Sequence, residues 1–326
     1  MISFDQIHAL IQNNNSFLIT THVNPDGDAI GSELALYHYL KRIGKEAAIF
    51  NCSQTPYNLE FLDPTGIISH FDKVKNSDIF DKFDVLVLLD LNHLSRIMEL
   101  EEGFRKSTKL KICIDHHDEP ENFSEYMFVD INYASTGEII FELIEAGAPV
   151  KIDYQIALPL YIAIMTDTGS FRYERTTSAT HIKAAKLLDA GVDPNTAASM
   201  IHDQGSPGRM RLLGRALDSI KLYYSNQLCT MALLRKDLTE TGTVEADIEG
   251  FVNYTLSIKG VRAGLLFYEL ENGFKVSFRS VDNVQINKLA KEFNGGGHFY
   301  AAGTRISNAK LGDYYDTIIK AAEKYL

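Results

Sequence analysis

The sequence predicts an α/β protein with an N-terminal, mainly parallel sheet flanked by helices, a smaller C-terminal α/β domain, and a cleft between them. First, the length of 326 residues exceeds the ~100–200 residues of a usual single domain. Second, short apolar runs alternate with helical patterns in the first part, which is typical of parallel sheets. Third, this pattern changes near residue 203, where the turn-rich segment DQGSPGRM begins.

Four apolar runs in the first part predict strands that are buried on both faces. They are residues 17–22 (FLITTH), 46–51 (EAAIFN), 85–90 (VLVLLD) and 110–115 (LKICID). Between the first two runs, apolar residues recur at helical spacing from Gly27 to Ile43, so the first unit is a strand, a tight turn and a helix.

Three more helices are expected further along this domain. The segment Ser135-Thr136-Gly137-Glu138 is typical of a capping box, and Ser178 precedes a helix that Gly191 ends. Residues 156–167 favour a helix, with Pro159 in its first turn or at a kink, because proline deep inside a helix costs ~3 kcal/mol.

The second domain begins with Ser206 as an N-cap and Pro207 at the first position of a helix that we expect to reach Tyr223. We therefore expect a first domain at residues 1–205, a linker helix at 206–226 and a second domain at 227–326. In the second domain, strands are predicted at QLCTMALL, VRAGLLFYEL and GFKVSFRSV, followed by a helix at VQINKLAKEF, a glycine cluster and a helix from Lys310.

Composition indicates a globular protein without a targeting or membrane segment. The chain has 45% hydrophobic residues, three cysteines and a net charge of −11. The start lacks the features of a signal peptide, the longest apolar run is about half of the ~20 residues that a membrane helix needs, and the few cysteines fit a reducing cytoplasm. Residues 1–205 hold 16 Lys+Arg and 30 Asp+Glu, whereas residues 206–326 hold 16 and 13. The acidic charge argues against a nonspecific binder of long nucleic acid.

Polar residues follow several of the predicted apolar segments. Asn-Pro-Asp-Gly is also good turn chemistry and a single strand-end aspartate is commonly a cap, but ligands bind at the carboxyl ends of parallel strands, where these residues converge. Imidazole mixed with carboxylate and without thiolate indicates a divalent transition ion such as Mn²⁺. The residues are His22, Asp26 and Asp28, then Asp90, then Asp115, His116 and His117, and finally Asp167.

A second signal is the run Asn294-Gly-Gly-Gly-His298, followed by Phe299 and Tyr300. Three glycines are compatible with a flexible turn, yet such a run also exposes backbone N–H groups to an anion. Phe299 and Tyr300 could stack on a base or pack in the core.

Together, H-x-x-P-D-G-D, a strand-end Asp, D-H-H and a later D-T-G-S-F resemble the four motifs of the DHH phosphoesterase superfamily, and G-G-G-H resembles its DHH-associated domain. The resemblance implies that Asp90 bridges two divalent ions, Mn²⁺ most of all, with Mg²⁺ or Co²⁺ as alternatives. It implies further that His117 faces the phosphate or the leaving oxygen and that Asp115 orients the cluster. The first ion would take His22, Asp26 and Asp90, and the second Asp28, Asp90, His116 and Asp167. The substrate's phosphate would lie against Arg279, Ser280, Gly295, Gly296, Gly297 and His298.

Several chemistries share this superfamily, so the resemblance alone leaves the substrate open. The G-G-G-H signature argues against a family II pyrophosphatase. The remaining class is that of stand-alone enzymes that hydrolyse short oligoribonucleotides and linear dinucleotides, and in some cases 3′-phosphoadenosine 5′-phosphate. RecJ-like single-strand DNA exonucleases and cyclic-dinucleotide phosphodiesterases are the alternatives, and a nonenzymatic nucleotide-binding module is disfavoured because all six metal ligands are present. We expect no long duplex and no membrane as partner, and a homodimer is compatible with this interpretation.

Overall fold

A computed structural model describes residues 2–147 and 150–326. The chain forms two compact units, residues 1–204 and 205–326, and each unit contains its own sheet and its own hydrophobic core. The mixed α/β class that the sequence predicts is therefore confirmed.

The sheet of the first unit has six strands, and all of its strand pairs are parallel. Their spatial order is β3-β2-β1-β4-β5-β6, so the order reverses between β1 and β4. The residues that follow β1 and β4 flank this switch point. Open α/β sheets bind ligands at such a point. The strands are β1 Ser16–Thr20, β2 Glu46–Asn51, β3 Ile68–His70, β4 Val85–Leu89, β5 Leu110–Asp115 and β6 Tyr126–Val129.

Helices connect these strands and continue after the last of them. Short 3₁₀ segments lie at Glu60–Leu62 and Leu94–Leu100. The helices are α1 Phe4–Asn13, α2 Gly27–Arg42, α3 Ile79–Lys82, α4 Glu101–Lys106, α5 Thr136–Ala146, α6 Tyr154–Asp167, α7 Ser178–Asp189 and α8 Pro194–His202.

Two glycines allow α2 and α6 to approach closely. A Cβ at Gly27 would lie 2.4 Å from Thr166 Oγ1, and a Cβ at Gly31 would lie 2.3 Å from the carbonyl oxygen of Pro159. Because real Cβ contacts are never this short, any side chain at either position would push the helices apart. The contact holds the first turn of α2 beside the last turn of α6.

The structure shifts two predicted features of the later helices by one turn or less. Pro159 is the sixth residue of α6 and so lies beyond the first turn, which is one of the two positions that the sequence predicts for it. Thr177, and not Ser178, is the N-cap of α7, since its hydroxyl accepts a hydrogen bond from Thr180 N. Helix α7 ends at Asp189, before Gly191 with its φ of +104°.

The second unit contains a mixed sheet of six strands in the order β11-β12-β10-β9-β8-β7. Strands β8 and β9 are parallel, and the other neighbours are antiparallel. The strands are β7 Lys221–Tyr223, β8 Leu228–Leu233, β9 Ala263–Leu270, β10 Gly273–Ser280, β11 Gly296–His298 and β12 Ala301–Ile306. The helices are α9 Pro207–Asp218, α10 Arg235–Thr241, α11 Ile286–Glu292 and α12 Leu311–Ala322, with 3₁₀ segments at Glu245–Ile248, Phe251–Ser257 and Glu323–Tyr325.

The helix that opens the second unit is shorter than predicted. It begins at Pro207 with Ser206 as N-cap, as expected, but it ends at Asp218. The Ser219 hydroxyl donates to the Ala216 carbonyl and accepts from the backbone N–H of Ala232. This bond to β8 turns the chain, and residues 221–223 then form strand β7 instead of a last helical turn.

Candidate active site

The predicted metal ligands lie around the strand ends at the switch point. His22 comes shortly after β1 and Asp90 directly after β4, whereas His116 follows Asp115, the last residue of β5. Helix α2 carries Asp28 in its first turn, and α6 ends with Asp167. Five separate elements thus contribute to one cluster.

Donor atoms of these residues lie close enough together to share metal ions. His22 Nε2 is 3.4 Å from Asp90 Oδ2. His116 Nε2 is 3.3 Å from Asp167 Oδ2, 3.6 Å from Asp90 Oδ1 and 3.7 Å from Asp28 Oδ2. Three groups have ligand atoms that all lie within 4.8 Å of one another: His22, Asp26 and Asp90; Asp28, His116 and Asp167; and Asp90, His116 and His117.

The carboxylates of this cluster repel one another. Burial and the charges of Asp90, Asp167 and Asp26 raise the pKa of Asp28 well above its ordinary value. Burial and the charges of Asp26 and Asp90 also raise the pKa of Asp167. A cation would relieve this repulsion, and oxygen and imidazole nitrogen are suitable ligands for divalent ions. The donor set therefore fits the metals that the sequence predicts.

Asp90 differs from the other carboxylates because histidines surround it. Although burial would raise the pKa of Asp90, the hydrogen bond to His22 and the charges of His117, His22 and His116 hold it well below the ordinary range. The residue has a φ of +60°, in the left-handed region that non-glycine residues rarely adopt. Such backbone strain is often found at functional sites.

Backbone carbonyls orient the imidazoles of two predicted metal ligands. His22 Nδ1 is 2.9 Å from the Val23 carbonyl oxygen, and His116 Nδ1 is 3.3 Å from that of Tyr133. With a cation present, an imidazole whose Nδ1 donates to a carbonyl offers the lone pair of its Nε2, and Nε2 is the atom that faces the carboxylates in both residues. These contacts match the usual outer partners of metal-bound histidines.

His117 and Asp115 form a buried pair beside the cluster. Nδ1 of His117 is 2.6 Å from Oδ1 of Asp115, whose other oxygen is buried without a hydrogen-bond partner in the described part of the chain. Burial alone would lower the pKa of His117, but the hydrogen bond that its Nδ1 donates to Asp115 and the charge of Asp90 raise it to about 9. The pair can therefore hold a proton near the carboxylate cluster at neutral pH.

The predicted substrate residues of the second unit lie on or just before strands β10 and β11, which β12 separates in the sheet. In the register of the sheet, Arg279 pairs with Ala301, and Ala301 pairs with His298, so these backbone positions are aligned. Nothing is described of the His298 side chain, so that prediction lies outside the described residues. Gly295, Gly296 and Gly297 lead into or form the edge strand β11, where the sequence allowed a flexible turn.

Close backbone contacts require glycine at positions 295 and 297, whereas a Cβ at Gly296 would meet no atom within 4 Å. A Cβ at Gly295 would lie 2.4 Å from the Gly303 carbonyl oxygen, and one at Gly297, whose φ is +140°, would lie 2.4 Å from that of Ala301. Ser280 is buried, and its hydroxyl donates to the Val284 carbonyl while its N–H donates to that of Tyr300. Both donors of Ser280 therefore fix the surrounding loops.

Comparison with known proteins identifies the family. Residues 16–164 match the DHH family N-terminal domain, and residues 226–326 match the DHHA1 domain. The bifunctional oligoribonuclease and PAP phosphatase NrnA of Thermus thermophilus is 33% identical over 312 residues, which cover 94% of this chain and 89% of the relative. The chain belongs to the DHH family. This confirms the expectation of a phosphoesterase with a DHH-associated domain.

Two further relatives of this DHH protein span both units. The protein from Bacillus subtilis with the same name is 28% identical over 295 residues, which cover 90% of each chain. The crystal structure of an exopolyphosphatase-related protein from Bacteroides fragilis has a TM-score of 0.94 and 32% identity, covering 99% of this chain and 96% of that chain.

Sequence reasoning missed the residues that hold the carboxylates of this DHH protein. The backbone N–H of Thr136 donates to Asp28 Oδ2 at 2.7 Å, and that of Gly137 donates to Oδ1 at 2.8 Å. The Thr136 hydroxyl donates to Asp90 Oδ1 at 3.1 Å. The N-terminus of α5 thus binds the acidic cluster, as helix N-termini bind anions. The S-T-G-E segment was the available signal.

That segment also caps α5 differently from the prediction. Ser135 accepts a hydrogen bond from Glu138 N, as in a capping box. The Glu138 carboxylate, however, accepts from Ala134 N at 2.9 Å. It therefore holds the residue before the cap.

The loop after Asp90 contains Asn92, His93 and Arg96, whose roles the sequence leaves open. Asn92 donates from its side-chain amide to the Asp118 carbonyl, and the Arg96 carbonyl accepts a hydrogen bond from Val23 N. His93 is exposed. Asn92 and Arg96 thus join the loops that carry His22 and the D-H-H motif.

Throughout the described ranges, no helix combines the length and apolar character needed to cross a bilayer.

Proposed function

We propose that this DHH phosphoesterase hydrolyses short oligoribonucleotides and linear dinucleotides to mononucleotides, and that it also acts on 3′-phosphoadenosine 5′-phosphate. The observation that carries the proposal is the convergence of six histidine and aspartate side chains at the sheet edge of a chain similar over 94% of its length to an oligoribonuclease and PAP phosphatase.

Two divalent ions, Mn²⁺ first and Mg²⁺ or Co²⁺ as alternatives, are proposed to bind this cluster. Imidazole and carboxylate without thiolate favour such ions. Asp90 is proposed as the shared ligand, because its carboxylate groups with His22 and Asp26 and also lies 3.6 Å from Nε2 of His116. The first ion takes His22, Asp26 and Asp90, and the second takes Asp28, Asp90, His116 and Asp167.

When bound, a pair of ions supplies Lewis-acid charge for the phosphoryl oxygens and lowers the pKa of water. The protein's own contribution is the placement and protonation of its side chains. Asp115 holds Nδ1 of His117, so Nε2 is the nitrogen available to the phosphate or to the leaving oxygen. A pKa of about 9 in the metal-free protein supports a role for His117 as proton donor.

The second unit is proposed to capture the substrate's phosphate. Arg279 provides the charge, and the glycine edge strand with His298 provides further contacts. Its residues carry more basic than acidic charge, in contrast with the first unit. Since both donors of Ser280 are engaged, we assign it a positioning role beside Arg279. Capture of one phosphate suits a substrate of a few nucleotides.

The test is hydrolysis of a substrate panel by the full chain, stripped with chelator and reconstituted with Mn²⁺. The panel contains a linear RNA dinucleotide, a cyclic dinucleotide, 3′-phosphoadenosine 5′-phosphate and pyrophosphate. We expect the highest kcat/KM on the linear dinucleotide, measurable turnover of 3′-phosphoadenosine 5′-phosphate, and no turnover before Mn²⁺ is restored. Preference for the cyclic dinucleotide or pyrophosphate would contradict the proposed substrate, and full activity after chelation would contradict the metal centre.

A further inference from the structure

Lys183 is a buried lysine of α7 and is not one of the candidate metal ligands. The residue is only 6% exposed. Its Nζ is 2.8 Å from Glu142 Oε1 and 3.7 Å from Glu138 Oε1, and it lies over the Tyr133 ring, 5.4 Å from the ring centroid. A buried ammonium group is costly unless it is paired, so this lysine has a defined set of partners.

Both carboxylate partners of Lys183 hold the segment that precedes α5. The Tyr133 hydroxyl donates to Glu142 Oε2 at 2.6 Å. On the next residue, the Ala134 N–H donates to Glu138 Oε2 at 2.9 Å. The ammonium group thus neutralises the two carboxylates that fix two successive residues.

The segment held in this way contacts the cluster of candidate metal ligands through the Tyr133 carbonyl oxygen. The carbonyl oxygen of Tyr133 is 3.3 Å from Nδ1 of His116, whose Nε2 faces Asp28, Asp90 and Asp167. The orientation of the imidazole therefore depends on where this carbonyl lies, and outer partners of this kind orient metal-binding histidines.

A second lysine on α7 offers a matched comparison. Lys186 Nζ is 2.8 and 2.7 Å from the two carboxylate oxygens of Glu145 and 5.6 Å from the centroid of the Phe141 ring. This arrangement also joins α7 to α5 by an ion pair and an aromatic contact. Glu145, however, accepts its hydrogen bonds from Lys186, whereas Glu142 and Glu138 accept hydrogen bonds from Tyr133 and Ala134.

We propose that Lys183 is a positioning residue of the metal centre: through Glu142 and Glu138 it fixes the Tyr133 carbonyl and thereby the His116 imidazole. This inference rests on the proposed role of His116 as a metal ligand. It adds a charged group from α7 to a site whose ligands come from other elements.

The test measures Mn²⁺ binding by calorimetry in the full chain after removal of metals. Lys183→Met should lower the affinity of at least one Mn²⁺ site by about 10- to 100-fold, the usual effect of losing an outer partner. Lys183→Arg, which keeps the charge, should retain most of the affinity, and Lys186→Met should bind Mn²⁺ like the wild type. Urea unfolding of the metal-free proteins measures stability separately, and it should show a loss for Lys183→Met and a small loss for Lys186→Met, whose ion pair is about half exposed.

A second variant keeps the proposal testable if Lys183→Met does not fold. Tyr133→Phe preserves the ring and the backbone carbonyl but loses the hydrogen bond to Glu142, and it should weaken Mn²⁺ binding in the same direction. Wild-type affinity in Lys183→Met, or in Tyr133→Phe where only that variant folds, would overturn the inference, as would an equal loss in Lys186→Met. If the wild-type chain itself binds no Mn²⁺, the proposed function fails as well, so the two failures are distinguishable.

Discussion

Glu33 should make the stability of the metal-free protein depend on pH. This residue of α2 has no exposed surface. Its Oε2 accepts a hydrogen bond from Asn51 Nδ2 at 2.8 Å, while its buried Oε1 has no such partner among the described residues. Burial raises the pKa of Glu33 from 4.5 to about 8, even though the Asn51 hydrogen bond opposes the shift. The folded protein therefore keeps a proton that the unfolded chain releases.

The sign of the effect follows from this difference in bound protons. Because the pKa is higher in the folded state, the free energy of unfolding falls as pH rises from about 4.5 to about 8, and it levels off at higher pH. A gap of about 3.5 in pKa corresponds to about 5 kcal/mol at high pH, of which about 4 kcal/mol is lost between pH 5 and pH 9.

Glu33→Gln removes the titration and keeps an acceptor oxygen for Asn51. Urea unfolding of chelator-treated wild type and variant at pH 5, 7 and 9 measures the difference in free energy of unfolding. We expect the variant to gain about 4 kcal/mol relative to wild type between pH 5 and pH 9. Asp28 and Asp167 titrate in both proteins, so their contributions cancel. Glu60→Gln, at an exposed position, serves as the control. A wild-type-to-variant difference that does not change with pH would refute the reasoning.

Three further predictions concern the site and the core. Asp90→Ala should abolish Mn²⁺ binding and turnover together, because the Asp90 carboxylate lies close to both His22 and His116. Wild-type values in calorimetry and initial rates would exclude Asp90 as the shared ligand. Arg279→Ala should lower kcat/KM on a dinucleotide by about 10- to 100-fold while sparing Mn²⁺ binding and hydrolysis of bis-p-nitrophenyl phosphate, and equal losses on both substrates would argue against phosphate capture. Cys113→Ser, in the buried strand β5, should keep turnover but lower the free energy of unfolding by roughly 1–3 kcal/mol in urea titration, and loss of turnover in a folded variant would contradict this.

The sequence predicts the central strands well because burial on both faces produces continuous apolar runs. β2 and β5 have the predicted bounds, and β1 and β4 differ by one or two residues. By contrast, β3 and β6 are edge strands of only three and four residues, and most of these residues are only partly buried. Edge pairing is therefore difficult to predict from local pattern alone.

The candidate ligands could be predicted because each stands directly beside a strand or helix end. Their spatial convergence then follows from the parallel sheet. The supporting contacts could not be predicted, since they depend on tertiary packing. Gly137 illustrates this: a Cβ there would lie 2.5 Å from the Ala163 Cβ, so the N-terminus of α5 reaches Asp28 only because the residue is glycine. Lys183 likewise lies in an ordinary helical pattern, and only the packing of α7 on α5 reveals its partners.

The length dependence of RNA hydrolysis tests the central claim most directly. Chelator-stripped protein reconstituted with Mn²⁺ is incubated with 5′-labelled RNAs of increasing length, from a dinucleotide to a chain several times longer, and kcat/KM is measured for each. We predict that the dinucleotide and trinucleotide are hydrolysed to mononucleotides with the highest kcat/KM and that the value falls steeply for longer chains. Equal or higher kcat/KM on the longest RNA, or the absence of mononucleotide products from the dinucleotide, would contradict the account.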